Sequence, residues 1–278
     1  MKIGIVGLGL IGGSMAKSIK ARTAYTVQGC DLDGEVVAAA RRCGAIDATL
    51  GDGDIAACDL ILAALLPGDT VAWVSEKGRL FSSQSVLLDL CGIKRAVYSK
   101  LAALAHRYGF TYIGGHPMAG RERGGFANSS ADLFDGAAMI LTPGEDAAPP
   151  LMKKFKEFFT AIGFASLTIT TPEEHDRIIA YTSQLAHVVS SAYVKSPKAL
   201  QRRGISAGSF RDLTRVARLD PAMWTELMMG NADFLAEELE LLLENLTGYS
   251  KALRAGDREL LHRLLAEGHD KKILAGGN

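Results

Sequence analysis

Short apolar runs alternate with longer amphipathic stretches through the first 170 positions, and from about residue 172 only the amphipathic pattern continues. Lys2 to Val6, Tyr25 to Cys30, Leu60 to Leu66, Ser85 to Leu90 and Phe110 to Ile113 have strand length and β-branched or leucine-rich content. Between them Ser14 to Lys20, Glu35 to Cys43 and Thr70 to Leu80 read as helices. Repeated strand and helix units of this size predict a parallel, doubly wound sheet with both faces covered. A further apolar run, Asp132 to Leu141, precedes a surface break from Thr142-Pro143-Gly144 to Pro149-Pro150; Leu151 to Ile162 is then a helix and Ala165 to Thr170 a strand. The boundary is expected near Thr171-Pro172. The fold class is therefore α/β, a Rossmann-like doubly wound domain over 1–171 followed by an all-helical domain over 172–278.

In the second part, Pro172-Glu173-Glu174 places proline and carboxylates in a first helical turn, and one helix is expected to run to about Tyr193. On a straight helix His175 and His187, twelve residues apart, would lie about 120° apart, while Ser183, Gln184, His187 and Ser191 would share a polar face. Asp220-Pro221 restarts a helix, and Trp224 to Leu246 reads as one long amphipathic element, with Met223, Met228 and Met229 as packing residues. A last amphipathic helix follows Gly256-Asp257. Such long apolar helices beside a small sheet domain predict burial against a second copy, a homodimer.

Charge alters this picture little. The 31 basic and 31 acidic residues cancel, so no global field favours nucleic acid or anionic lipid, and anion recognition must be local. Cys30, Cys43, Cys58 and Cys91 show no metal-ligand spacing and suit a reducing cytoplasm; no metal is expected. The apolar start is better explained by a strand and a phosphate-binding turn than by a signal peptide, and no apolar run approaches the roughly 18 residues of a membrane span.

The candidate chemistry begins with Gly7-Leu8-Gly9-Leu10-Ile11-Gly12, a G-x-G-x-x-G fingerprint between a strand and a helix. Gly7 permits the tight turn, Gly9 lets backbone meet a pyrophosphate and Gly12 allows close helix packing. Asp31, about 20 residues further on, suits a ribose 2′-hydroxyl and repels a 2′-phosphate, which favours NAD; with Asp33 nearby it also fits a plain turn residue. Leu66 and Pro67 lie at another strand end and join the expected cofactor edge, where Cys91 and Lys94 are also placed for ligand contact. The strongest catalytic candidate is His116, in a glycine-flanked loop Gly114-Gly115-His116-Pro117-Met118-Ala119-Gly120. Near neutral pH its imidazole can act as base or hydrogen-bond acceptor. Arg121-Glu122-Arg123-Gly124-Gly125 looks like an ordered substrate-side loop, and Arg202-Arg203 leads into Phe210-Arg211-Asp212-Leu213-Thr214-Arg215. Arg211 and Arg215 would share one side of a helix, where either a carboxylate fork or a solvated charged face fits.

These stretches together resemble the prephenate and arogenate dehydrogenases of tyrosine biosynthesis. The marks are the glycine fingerprint with Asp31, the stretch around His116, His175-Asp176 with Ser183-Gln184-Leu185-Ala186-His187, and Phe210 to Arg215 with Asp220-Pro221-Ala222-Met223-Trp224. The resemblance covers nearly the whole chain. It implies NAD-dependent oxidative decarboxylation, with His116 bonded to the ring 4-hydroxyl, Arg215 holding a substrate carboxylate and His187 in the pocket. His175 and Glu122 match positions linked to pocket shaping and to pH or inhibitor response; Gln184 and Arg121 complete the expected substrate set. One departure stands out: many members carry a serine near the catalytic histidine where this chain has Gly92, so water or another group must orient His116. The excess of arginine over Glu122 and Asp212 favours prephenate over arogenate. No regulatory domain is expected after the helices. The β-hydroxyacid dehydrogenases share the glycine loop and a helical second domain, but Ser183 to Ser191 contains no lysine of the kind they use. An NAD-sensing binding protein would not need His116, His187 and Arg215 together.

Overall fold

The computed structural model describes all residues except 145–148, 202–203, 206–207 and 277–278. Strands β1 (Lys2–Val6), β2 (Thr26–Cys30), β3 (Ala48–Thr49), β4 (Leu60–Ala63), β5 (Val86–Asp89), β6 (Thr111–Pro117), β7 (Ala138–Pro143) and β8 (Ser166–Ile169) form one sheet in the order β3-β2-β1-β4-β5-β6-β7-β8. The first six run parallel. β7 is antiparallel to β6, and β8 is parallel to β7, so the sheet is mixed rather than parallel throughout. The reversal follows from the link between β6 and β7, which carries only a short helical turn, Phe126–Asn128, and no crossover helix. A parallel return needs such a crossover.

Alternation along the strands gives each face its own core. Ile3, Ile5, Leu60, Leu62 and Leu88 point to one side and pack with Met15, Ala16 and Ile19 of α1 (Leu10–Arg22). Val6, Ile61, Ala63 and Leu87 point to the other. There they meet Val74 of α3 (Pro67–Lys77) and Val97, Leu101 and Ala105 of α4 (Arg95–Tyr108). α2 (Gly34–Arg42) starts at Asp33, whose side chain caps Glu35 N–H, and α5 (Pro149–Ala161) adds Phe155, Phe158 and Phe159 to the first core. β4 is buried at every position, as a central parallel strand covered on both faces must be.

The expected helix from 172 has three parts: α6 (Pro172–Ile179), a π-helical segment Ala180–Leu185 and α7 (Ala186–Tyr193). Thr171 caps the start by accepting from Glu174 N–H at 3.1 Å. A π insertion adds about one residue to the turn and so removes about 100° of phase. The 120° separation expected for His175 and His187 thereby falls to about 20°, and the straight-helix reading fails for that reason. α8 (Gly208–Thr214) ends before Arg215, which opens a 3₁₀ turn, so Arg211 and Arg215 do not share a helix face; Arg211 instead pairs with exposed Asp212 at 3.5 Å. The long helix expected from Trp224 is also divided, into α9 (Pro221–Met229) and α10 (Ala232–Ala255), with Gly230 and Asn231 between them. Met229, expected to pack, is exposed.

The chain separates into two compact units, Met1–Asn231 and Ala232–Asn278. In the second, α10 and α11 (Arg258–Ala275) pack together, with Tyr249 Oη donating to Leu264 O at 3.0 Å. Leu241, Leu243, Leu246, Leu253, Leu265 and Ile273 remain exposed on these two helices. Among the described residues no helix is long and apolar enough to cross a membrane.

Candidate active site

All the candidate site residues described here lie in the first unit. The parallel strands β1, β4, β5 and β6 carry their carboxyl ends to one edge, where Val6, Ala63, Asp89 and Gly114 lie in register. At the usual strand spacing, three steps separate the glycine turn from β6 by about 14 Å. An extended dinucleotide can bridge that interval along the crevice where strand order reverses.

At the first end, Gly7 has φ +84° and leads into α1. A Cβ on Gly12 would overlap the Gly7 carbonyl oxygen, so the helix can approach the strand only with glycine there. A Cβ on Gly9 would meet nothing within 4 Å, leaving open space beside the turn. The first turn of α1, which includes Leu10, Ile11 and Gly12, has no acidic residue and no side-chain cap; its amides are suited to a phosphate. Asp31 accepts from Leu8 N–H at 2.7 Å and from Asp33 N–H at 3.0 Å. Its carboxylate thus ties the glycine turn to β2 and retains lone pairs for a diol. Leu66 and Pro67 begin α3 on the neighbouring strand, and Gly68 N–H donates to Glu226 Oε1 at 2.7 Å.

His116 lies within β6 rather than in a loop after it, opposite Ile140 of β7. The glycines that suggested a loop serve close packing: a Cβ on Gly115 would come within 2.8 Å of Asp89 O. His116 Nδ1 and His175 Nε2 are 2.9 Å apart, and His175 Nδ1 is 2.7 Å from Asp176 Oδ1. A carboxylate can only accept, so His175 carries its proton on Nδ1 and, when neutral, presents a lone pair at Nε2. His116 then donates through Nδ1–H. Its Nε2 is left as an acceptor. Burial holds His116 well below the usual histidine range, with the neighbouring His175 and Lys94 acting in the same direction. Burial also lowers His175, against the opposing hydrogen bond to Asp176. The orienting group sought in place of serine is therefore His175. A Cβ at Gly92 would lie 3.8 Å from His116 Nε2, the other nitrogen.

A buried polar network, largely missed in the sequence, holds this relay. Asp176, wholly buried, also accepts from Lys94 N–H at 2.7 Å and Arg95 N–H at 2.8 Å, fastening α6 to the start of α4. Asn231 Nδ2 donates to Asp176 O and to Gln184 Oε1, at 2.9 and 2.8 Å. Gln184, expected to face substrate, is buried and donates to Leu227 O at 3.1 Å. Its amide is a structural tie. Lys94 and Cys91, expected at the ligand edge, are buried too; Lys94 pairs with Asp89, and burial pushes the Cys91 thiol upward. A hint was available in the spacing Asp89, Cys91, Lys94, a carboxylate and an amine bracketing a strand end.

Beyond β6 the loop turns into an open cavity of about 370 Å³ lined by Gly120, Arg121, Glu122, Arg123, Asn128 and Arg215. The cavity joins the substrate-side loop to Arg215, residues more than 90 positions apart. Arg121 holds its own loop, donating to Asn128 O at 3.0 Å and Ser130 Oγ at 2.7 Å. His187 Nδ1 is 2.9 Å from Val216 O, and its ring packs on Trp224 with centroids 3.9 Å apart. Since a carbonyl only accepts, His187 also carries its proton on Nδ1. Burial lowers it below the usual range, and the charge of Arg215 adds to that. Arg202 and Arg203, the other expected cations, lie outside the described residues.

Residues 15–167 match the family model described as prephenate dehydrogenase, nucleotide-binding domain, and residues 171–267 match that of the prephenate dehydrogenase dimerization domain. The chain belongs to the prephenate dehydrogenase family. It is 29% identical to a prephenate dehydrogenase of Bacillus subtilis over 96% of this chain and 74% of that one. It is equally similar, 29%, to a cyclohexadienyl dehydrogenase of Zymomonas mobilis, covering 93% and 90%. Among solved structures, prephenate dehydrogenase from Aquifex aeolicus in complex with hydroxyphenyl propionate and NAD+ superposes with a TM-score of 0.84. That match has 25% identity and covers 99% of this chain and 98% of the other. The chain is thus a dehydrogenase of the prephenate and arogenate type, with a Rossmann-like nucleotide-binding domain.

Proposed function

We propose that the protein catalyses NAD-dependent oxidative decarboxylation of prephenate to 4-hydroxyphenylpyruvate. The observation that carries the reading is the relay Asp176, His175, His116, which leaves His116 Nε2 as a free acceptor at the carboxyl edge of the sheet. Bound NAD supplies the hydride acceptor. The open space at Gly9, the uncapped start of α1 and Asp31 fit a dinucleotide, with Leu8 and Leu66-Pro67 flanking it.

In this reading His116 Nε2 accepts a hydrogen bond from the ring 4-hydroxyl. As hydride leaves the carbon bearing that hydroxyl, positive charge grows on the oxygen, and neutral His116 stabilises it. The ring carboxylate then departs as carbon dioxide, its bonding electrons completing the aromatic ring. The hydroxyl proton ends on the phenol, so the imidazole polarises the group without net proton uptake. Arg215 holds a substrate carboxylate, with Arg121, Glu122 and His187 shaping the same region.

Three arginines against one glutamate around the cavity favour the dianion prephenate. The second reading, arogenate or both substrates, is favoured by Glu122 alone, a carboxylate on that lining able to meet an ammonium group. Residues 172–278 serve substrate binding and dimerisation, and the exposed leucines of α10 and α11 suit a homodimer. The test is NADH formation by purified protein offered prephenate and arogenate separately. Turnover of prephenate with the higher kcat/KM, abolished in His116→Asn, supports the reading; silence with both substrates despite NAD binding overturns it.

A further inference from the structure

Lys94 has no exposed surface, yet it lies one residue from the candidate chemistry. Its ammonium donates to Asp89 Oδ1 and to Gly115 O, both at 2.5 Å, and Gly115 is the residue before His116. Its own backbone N–H is held by Asp176 Oδ1, the atom that accepts from His175. Tyr112 Oη donates to the second oxygen of Asp89 at 2.8 Å, and Cys91 N–H to the first at 3.0 Å. A buried ion pair is costly to assemble and weak evidence for stability as such, so a role in specifying geometry or charge is the better account.

We propose that Lys94 is a positioning residue for His116: its ammonium, paired with Asp89, pins the Gly115 carbonyl and so fixes the surroundings in which the imidazole acts as an acceptor. The groups facing that imidazole are consistent with this. From α6 come His175 and, behind it, Asp176; from the turn before α4 comes Lys94, with Arg95 turned to Asp176 and Glu173; Asp89 of β5, held also by Tyr112 of β6, pairs with Lys94. The carboxylates are occupied by Lys94, Tyr112, His175 and the α4 amides. Opposite His116, β7 offers Ile140. The charge of Lys94 therefore acts with burial to disfavour an imidazolium at His116.

The inference rests on His116 being the acceptor, so its test reads the imidazole without turnover. Histidine labelled with carbon-13 is titrated by NMR in the full chain, His116 being the signal lost in His116→Asn. In the natural protein His116 should stay neutral below the ordinary histidine range. Lys94→Met should move its titration upward by about one unit, and the acid limb of kcat/KM with it. Because Lys94→Met leaves Asp89 unpaired, Lys94→Met with Asp89→Asn provides a variant without a buried lone charge; it should shift His116 the same way, by less. Titration unmoved in a folded variant overturns the proposal. So does a natural protein whose His116 titrates in the ordinary range, which needs no variant at all. Should His116→Asn keep its turnover, the catalytic reading fails separately, since the titration result does not depend on activity.

Discussion

Replacing His175 by alanine isolates the relay. The change removes the acceptor 2.9 Å from His116 Nδ1 and the edge-to-face contact of the two rings, whose centroids are 5.1 Å apart. A buried donor left without a partner costs about 1–3 kcal/mol. If that cost falls on the tautomer with a free Nε2, kcat should drop by about 5- to 150-fold, at about 1.4 kcal/mol per tenfold. KM should change by less than about threefold, because the arginines of the cavity are untouched. Once protonated in acid, His175 opposes a second charge on His116, so without it the acid limb of kcat/KM should move to higher pH. The assay is NADH absorbance under saturating NAD across a pH series, with NAD affinity and far-ultraviolet circular dichroism as controls for folding. An unchanged kcat in a folded variant would refute the relay, as would a loss confined to KM.

Arg215→Gln should raise KM with a smaller effect on kcat, by about 2–5 kcal/mol if the carboxylate pair is desolvated in the complex; steady-state kinetics with unchanged KM would remove Arg215 from the site. Asp31→Ser should reduce the preference for NAD over NADP, read as the ratio of kcat/KM for the two cofactors, and a constant ratio would leave Asp31 only its ties to Leu8 and Asp33. Stability should fall in mild acid. His116, His175 and His187 are all held below the unfolded value near 6.5, so the unfolded chain takes up protons that the folded chain resists. Their contribution is complete above about pH 6.5 and is lost as pH falls through the folded values, so thermal melts should show the midpoint dropping below about pH 6.5.

The local signals in the sequence were those that depend on near neighbours. The strand, glycine turn and helix of residues 2–22 follow from spacing alone, as does the run of parallel units to β6, and His116 drew notice through its glycines. What escaped were features made by distant partners. Strand β6 continues through Pro117 because β7 pairs with it, and β7 is 20 residues further on. Asp176 reads as an ordinary helix carboxylate until the start of α4 brings two amides to it. Lys94 looks exposed because lysines usually are, and only Asp89 and the Gly115 carbonyl make its burial tolerable. The π segment has no spacing signature, so the angular relation of His175 to His187 could not be read by counting residues.

That segment makes helix winding a constraint independent of residue identity. Tyr181 and Thr182 are exposed and can be exchanged freely, whereas winding residues 180–185 as ordinary α-helix, with no residue lost, would change the phase. Everything after it would then turn by about 100°. His187 would leave Val216 and Trp224, and Ser190 would leave Leu213 O, while His175 stayed beside His116. A segment rewound at constant length would uncouple the two halves of the site with every side chain named above still present.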